Sequence, residues 1–362
     1  MKRLSVLMAL DSFACGGTET HAISVAKSLQ GQGADVVLAG DGGPLYDRFA
    51  GELSLRLLQY DEDAVDRLSR LMREAEVQVV HVHQTPSGLA AAAAAEALGI
   101  PVVTTVHGTY YPRGELLELV RRSAAVISVS KPLHAFLEKL GVASRVIPNG
   151  IDLRDFDVAS GEHLRERLGI AKDALVVTYA SRIAWGKATV CKTALRAVRD
   201  LRRTTYPNLE VIVAGDGPQL PEVRDLARRL EESIGQRFVH VAGQQTELSA
   251  FYAASDAVVG TGRVALEAMA CGKAVLAVGN HGFFGWVEPA VYEQAWNCYF
   301  GDHASLRSCS LPVLTEALRK GLAGPVALRR IGSENRGWVS RSFDADRIGR
   351  RIAEVYESAL RR

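Results

Sequence analysis

Arg182 and Lys187 stand five residues apart in Ser181-Arg182-Ile183-Ala184-Trp185-Gly186-Lys187, directly beyond an apolar run that reads as a buried strand. A planar guanidinium fork and a point-like ammonium at that spacing can grip one diphosphate. They would also stabilise a departing diphosphate as its charge grows. Two solvated cations on a surface loop would look the same in sequence. A second segment points to related chemistry. In Val259-Gly260-Thr261-Gly262-Arg263-Val264-Ala265-Leu266-Glu267-Ala268-Met269-Ala270-Cys271-Gly272, two glycines open a short, otherwise apolar helix with Glu267 one turn inside it. A carboxylate among apolar neighbours needs partners. Glu267 is placed to accept from two ribose hydroxyls, or to pair with Arg263, four residues earlier on the same helix face.

Other residues offer weaker signals. Gly16 and Gly17, in Ala14-Cys15-Gly16-Gly17-Thr18-Glu19-Thr20, open the first helix, where backbone N–H groups can approach an anion. A tight turn without a ligand would use them equally well. The third glycine of a dinucleotide fingerprint is missing, so Asp41 after the second strand does not make a dinucleotide site. Gly215 and Gly217, in Ala214-Gly215-Asp216-Gly217-Pro218, mark another close backbone approach or simply a turn. His81 and His83 flank Val82 on one face of a strand; with no third ligand evident, packing or hydrogen bonding is expected and no metal site. His107, in His107-Gly108-Thr109, ends the next strand. A neutral imidazole there could bond a sugar hydroxyl or orient an acceptor, or serve structurally.

Short apolar runs and helical stretches alternate to position these residues. Strands are expected at Leu4–Leu10, Val36–Ala39, Val77–Val82, Val102–Val106 and Ala125–Val129, Val-rich and without clean alternation, as in a parallel sheet covered on both faces. Helices are expected between them at Thr18–Leu29, Ala64–Glu74, Leu89–Leu98, Leu116–Arg122 and Pro132–Leu140, with Gly31 and Gly141 as terminators. The series pauses near Pro148-Asn149-Gly150-Ile151-Asp152 and restarts with strand Leu175–Ala180, continuing to strand Ala274–Val278. The fold class is therefore α/β, with two Rossmann-like doubly wound domains facing across a cleft. The expected division is 1–165 and 166–343, with a C-terminal helix in 344–362 returning to the first domain on a stripe of Ile348, Ile352, Val355, Tyr356 and Ala359.

Composition excludes several classes. A chain of 362 residues, 48% hydrophobic, can fill two cores. Lys+Arg 43 against Asp+Glu 41 leaves a net charge of +2, no electrostatic footprint for nucleic acid. Basic pairs such as Arg121-Arg122, Arg202-Arg203 and Arg228-Arg229 are scattered, though one could touch an anionic membrane surface. Five cysteines without a C-x-x-C spacing argue for a reducing compartment, hence a cytoplasmic protein with peripheral attachment to the inner face of the membrane left open.

In this order the motifs resemble the GT-B glycosyltransferases, specifically family 4, often called glycosyl transferases group 1, over nearly the whole chain. Gly16-Gly17-Thr18-Glu19 is similar to the family's first-loop glycines, Thr105-Val106-His107-Gly108 to T-x-H-G, and Ile147-Pro148-Asn149-Gly150-Ile151-Asp152 to its P-N-G-[IV]-D linker. Arg182 with Lys187 resembles the R-x-x-x-x-K donor-phosphate pair, Gly215-Asp216-Gly217-Pro218 the G-D-G-P turn, and Leu266–Gly272 the L-E-A-M-A-x-G stretch. Six such pieces in order, each at a strand end, are specific where each alone is common.

The resemblance implies a nucleotide-sugar-dependent glycosyltransferase of hexosyltransferase type. It would move a sugar from a UDP- or GDP-type donor to a saccharide or lipid-linked acceptor, with retention, in cell-surface polysaccharide or glycoconjugate synthesis. It implies no cofactor. Gly16, Gly17, Arg182, Lys187, Gly215, Gly217, Gly262, Arg263 and Glu267 would bind donor, and His107, Arg182 and Lys187 would act in catalysis. The departing phosphate would help deprotonate the acceptor on the same face. One departure is plain: of two family glutamates eight residues apart, Glu267 matches the second, and the first falls on Val259. Arg263, or the amides of Gly262 and Arg263, would then stand in. Alternatives on the same fold are a nucleotide-sugar epimerase, a phosphorylase, or a non-catalytic nucleotide-sugar-binding protein. His281–Gly285 and Asn297–His303 carry polar groups without an assignment.

Overall fold

A computed structural model describes residues 3–157, 160–280 and 282–361; His281 lies outside them. The chain divides into two compact units, Met1–Asp152 with Phe343–Arg362, and Leu153–Ser342.

The first unit runs β1 (Ser5–Ser12), α1 (Gly17–Gly31), β2 (Asp35–Asp41), α2 (Pro44–Phe49), β3 (Ser54–Leu57), α3 (Ala64–Glu74), β4 (Val79–Val82), α4 (Thr85–Ala97), β5 (Val102–Val106), α5 (Arg113–Arg121), β6 (Ala125–Ser128), α6 (Lys131–Lys139) and β7 (Arg145–Val146). Among the described residues its sheet has seven strands in the order β3-β2-β1-β4-β5-β6-β7, all pairs parallel. β1 shows why its run is continuously apolar. Val6, Met8 and Leu10 face one buried cluster and Leu7 and Ala9 the opposite one, because successive side chains of a strand point to opposite faces. α1 runs through Gly31, and the left-handed turn falls on Gly33 at φ +93° instead.

The second unit runs α7 (Glu162–Leu168), β8 (Leu175–Ala180), α8 (Trp185–Thr204), β9 (Leu209–Ala214), α9 (Leu220–Ile234), β10 (Val239–Gly243), α10 (Ser249–Ala253), β11 (Ala257–Gly260), α11 (Gly262–Ala270), β12 (Ala274–Gly279), β13 (Gly282–Val287), α12 (Tyr292–Asn297), α13 (Leu311–Leu322) and α14 (Pro325–Ser342). Among the described residues its sheet is ordered β10-β9-β8-β11-β12-β13. β13 pairs antiparallel with β12. β13 has no clear sequence signal, because the two glycines of Gly282-Phe283-Phe284-Gly285 give a strand the look of a loop.

The boundary at 165 needs correction: the first unit ends at Asp152. α7 belongs to the second unit because Arg165 is tied there, donating to the carbonyls of Ala254 at 2.7 Å and Ala174 at 3.0 Å and pairing with Asp256 at 3.1 Å. Phe343 likewise belongs to the first unit, where the Ile151 N–H donates to its carbonyl at 2.8 Å. The final helix, α15 (Ala345–Leu360), buries Ile348, Ile352, Val355, Tyr356 and Ala359 in the cluster formed with α1 and β1.

In each sheet the order reverses once, between β1 and β4 and between β8 and β11. Ligands of open α/β sheets bind beyond the strand ends at such switch points. Arg182 and Lys187 follow β8, Gly262 and Glu267 follow β11, Gly16 follows β1 and His83 follows β4.

Candidate active site

The loop after β8 is braced from β9. Ser181 N–H donates to the Ala214 carbonyl at 3.1 Å, Ile183 N–H to Asp216 at 2.8 Å, and Gln219 N–H back to Ile183 at 3.1 Å. Gly215 and Gly217 make this approach possible. Their φ values are +144° and +153°. A Cβ on Gly215 would overlap the Ser181 carbonyl oxygen, and one on Gly217 would lie 2.5 Å from that of Ile183. These glycines thus have a scaffolding reason to be glycine, independent of any ligand.

The two cations carried by this loop are in different states. Arg182 is exposed, its guanidinium 5.5 Å from the ring centroid of Trp185. Trp185 is itself 70% exposed and sits at φ +48°, the first residue of α8. A non-glycine residue in that region costs about 1–3 kcal/mol and points to a constraint imposed by the surroundings. Lys187 is mostly buried, and its Nζ lies 3.1 Å from Asp302 Oδ1.

β11 ends in the second helix start. Thr261 caps α11 in an extended conformation and Gly262 follows at φ +54°. Glu267 is 6% exposed and both of its oxygens are engaged. Oε1 accepts from Arg263 Nε at 2.7 Å and Oε2 from the Tyr252 hydroxyl at 3.1 Å. The pairing with Arg263 open at the sequence level is therefore formed. A carboxylate has about four acceptor positions, so two hydrogen bonds leave capacity for others. Burial pushes the Glu267 carboxyl above its ordinary range, while Arg263 and the Tyr252 hydroxyl pull the other way. Tyr252, from α10, had no signal in the sequence beyond an aromatic residue in a short helix. Val259 is 0% exposed and faces the apolar core of the second unit.

In the first unit Gly16 is the N-cap of α1 and Gly17 its first residue. A Cβ on Gly16 would overlap Glu19 Oε2, so glycine makes room for that carboxylate. Glu19 Oε1 accepts from Gln84 Nε2 at 3.0 Å, and Gln84 Oε1 accepts from the Asp11 N–H at 2.8 Å. The start of α1 thus already carries a carboxylate, which suits the positive end of a helix.

Behind it lies a buried histidine cluster. His81 bonds the Tyr356 hydroxyl at 2.6 Å through Nδ1 and Thr105 Oγ1 at 2.7 Å through Nε2. His83 Nδ1 meets His107 Nε2 at 3.1 Å. A third histidine, His21 on α1, joins them: ring nitrogens of His21, His83 and His107 lie within 4.8 Å of one another, a geometry a metal ion could use. His83 and His107 also lie within hydrogen-bond distance of each other. The Tyr111 hydroxyl donates to the His83 carbonyl at 2.9 Å, so Tyr111 holds the loops while Tyr110 is 66% exposed.

Burial pushes the His83 pKa down to about 3. Its ordinary value is about 6.5, which the unfolded chain retains. Below about pH 6.5 the unfolded chain gains a proton that the folded imidazole refuses, so this contribution is complete above pH 6.5 and erodes as pH falls toward the folded value, by about 1.4 kcal/mol per unit. Between pH 7.5 and 5.0, wild-type unfolding free energy should fall by about 2 kcal/mol more than that of His83→Gln. Chemical denaturation at both pH values measures this slope difference, and equal slopes would refute it.

Comparison with known proteins covers both units. The signature of Glycosyltransferase Family 4 matches residues 15–155 and that of Glycosyl transferases group 1 matches residues 161–305. Glycogen synthase of Mycobacterium tuberculosis is 31% identical over 309 residues, 78% of this chain and 69% of that protein. Lipopolysaccharide 1,2-N-acetylglucosaminetransferase of Salmonella typhimurium is 31% identical over 191 residues, 49% of this chain and 48% of that protein. Anabaena HepE, solved in complex with UDP-glucose, superposes with a TM-score of 0.78 at 18% identity, covering 98% of this chain and 100% of that one. No helix among the described residues is long and apolar enough to cross a membrane. Two doubly wound units, each carrying its half of the family signature, make this chain a member of glycosyltransferase family 4: a nucleotide-sugar-dependent glycosyltransferase of the GT-B fold.

Proposed function

We propose that the chain transfers a hexose from a UDP-sugar, UDP-glucose or a close relative, to a hydroxyl of a saccharide or lipid-linked acceptor, with retention at the anomeric carbon. The observation that carries this is the pair of helix starts flanking the β8/β11 switch point, one bearing Arg182 and Lys187 and the other Gly262, Arg263 and Glu267. The UDP-glucose bound to HepE supports the donor class, and the names of the glycogen synthase and lipopolysaccharide relatives support a saccharide acceptor. A GDP-sugar is the second donor class to test.

In this reading the second unit takes the donor. Arg182 and Lys187 bind the diphosphate, the amides of Gly262 and Arg263 approach it, and Glu267 accepts from the ribose hydroxyls. Tyr252 and Arg263 hold the Glu267 carboxylate in place. Gly215 and Gly217 act by bracing the Arg182 loop. The first unit takes the acceptor, with His107 bonding one of its hydroxyls. Val259 contributes no polar group, unlike the first glutamate of the family pattern. In the reaction the bond from the anomeric carbon to the β-phosphate oxygen breaks, the bond to the acceptor oxygen forms, and the acceptor proton passes to the departing diphosphate. Positioning and stabilisation of the leaving charge supply the catalysis. The work is placed in the cytoplasm, in assembly of a surface polysaccharide or glycoconjugate.

The test is an acceptor panel with UDP-glucose and GDP-sugars, following nucleotide release and product anomer by NMR. Nucleoside diphosphate released only with acceptor, and a product keeping the donor's anomeric configuration, is the expected outcome. Release without acceptor, an epimerised donor, or binding without turnover would overturn it.

A further inference from the structure

One carboxylate beside the candidate diphosphate site is placed with unusual force. Asp302 follows a tight turn, Tyr299–Gly301, in which Tyr299, Phe300 and Gly301 have φ of +51°, +58° and +86°. Two non-glycine residues in succession in the left-handed region need surroundings that hold them there. These are visible: Thr261 Oγ1, at the cap of α11, donates to the Phe300 carbonyl at 2.8 Å, and Asp302 N–H donates to Tyr299 at 3.1 Å. Gly279, at the end of β12, admits the Gly301 backbone where a Cβ would collide. Tyr299 and Phe300 are 3% and 0% exposed.

The turn delivers the Asp302 carboxylate to a defined spot. Oδ1 is 3.1 Å from Lys187 Nζ. It accepts no aligned hydrogen bond among the described residues, so the lysine is held by charge. Oδ2 lies where a side chain on Gly262 would begin, 2.9 Å from the position of a Cβ there. The carboxylate therefore sits between the phosphate-binding cation and the first residue of α11. A diphosphate on Lys187 must compete with it for the ammonium and then lie beside a like charge, a repulsive arrangement. The group attached to the diphosphate can relieve that repulsion. Sugar hydroxyls are hydrogen-bond donors, and a carboxylate is an acceptor-only group that bonds them strongly.

We propose that Asp302 is the residue that reads the transferred sugar: it pairs with Lys187, yields that cation to the diphosphate, and accepts hydrogen bonds from the hydroxyls of the attached sugar, so the site favours an intact sugar nucleotide over the free nucleoside diphosphate. This rests on the reading that Lys187 holds the diphosphate. It gives Asp302 the role of a specificity-determining residue, and a merely structural residue would not show the behaviour that follows.

Asp302→Asn keeps the shape and removes the charge. Calorimetric titration of the full chain should show UDP binding about tenfold tighter than in wild type, because the repulsion is gone and Lys187 is released. UDP-glucose binding should weaken about tenfold, and kcat/KM with it, because the amide replaces an anionic acceptor. Opposite movement of two ligands on one protein cannot arise from a loss of folded material. Parallel weakening of both, or no change in either, overturns the assignment. Lys187→Ala in the same titrations separates the two levels. If it binds UDP like wild type, the phosphate reading fails. If it loses UDP while Asp302→Asn moves both ligands together, the sugar-reading role alone fails.

Discussion

Lys187→Ala is expected to lower kcat/KM for sugar transfer by about two to three orders of magnitude while the chain stays folded. Removing one preorganised donor to a developing negative charge costs about 3–4 kcal/mol in the transition state, which is that factor. The fold should survive because the structural bond at this position uses backbone: the Tyr179 hydroxyl donates to the Lys187 carbonyl at 2.6 Å, which alanine keeps. The loss also leaves Asp302 beside the phosphates without its cation, so the effect should exceed that of deleting a solvated lysine. Lys187→Arg retains charge but fills the space differently, and should recover part of the activity. Steady-state kinetics with a circular-dichroism melt measures both halves of this expectation. Near-normal turnover in a folded Lys187→Ala protein would remove the phosphate assignment.

Gly215→Ala should lower stability by about 3–5 kcal/mol. Two costs add. The backbone at φ +144° is one that L side chains rarely adopt, and the new methyl would overlap the Ser181 carbonyl oxygen. Relief requires moving the Ser181–Ile183 loop or breaking the Gly215 N–H bond to the Gly243 carbonyl at 2.8 Å. Either displaces Arg182, so activity should fall with stability. Gly33→Ala is the informative contrast: its φ is +93°, but nothing lies within 4 Å of the added carbon. It should cost only the backbone share, about 1–2 kcal/mol. Denaturant titrations of both variants test the separation. Equal effects would mean that the close approach of the two loops carries no weight.

Much of the fold was legible because each unit builds a sheet whose central strands are parallel and buried on both faces. Such strands appear as unbroken apolar runs, and β1, β5, β8 and β12 lie where the runs predicted. The residues at strand ends were legible for a related reason: the switch points leave few places for loops that carry glycine and charge together. Contacts closed over long sequence distances were not legible. Nothing local announces that Asp302 will pair with Lys187, that Tyr252 will bond Glu267, or that Tyr356 from the last helix will hold His81. His21 lies on α1, and nothing in its local sequence announces that it will meet His83 and His107. The boundary at Asp152 is not legible because α7 is polar in sequence and Arg165, which ties it to the second unit, finds its partners Ala254 and Asp256 some ninety residues further along the chain. Glycine signals carry two meanings at once. Gly215 and Gly217 have the pattern of ligand-approach glycines, and they also make room for another loop of the same unit.

The central claim is that the Arg182–Lys187 loop and the Glu267 helix together hold the nucleoside diphosphate of the donor. Titration calorimetry of UDP into the wild-type chain, Lys187→Ala and Glu267→Gln tests it most directly. The expected result is measurable binding to wild type and at least about tenfold weaker binding to each variant, with unfolding midpoints that confirm folded protein, since each change removes a charge-assisted contact of about 1.5–3 kcal/mol. Equal affinity of all three proteins for UDP would contradict it.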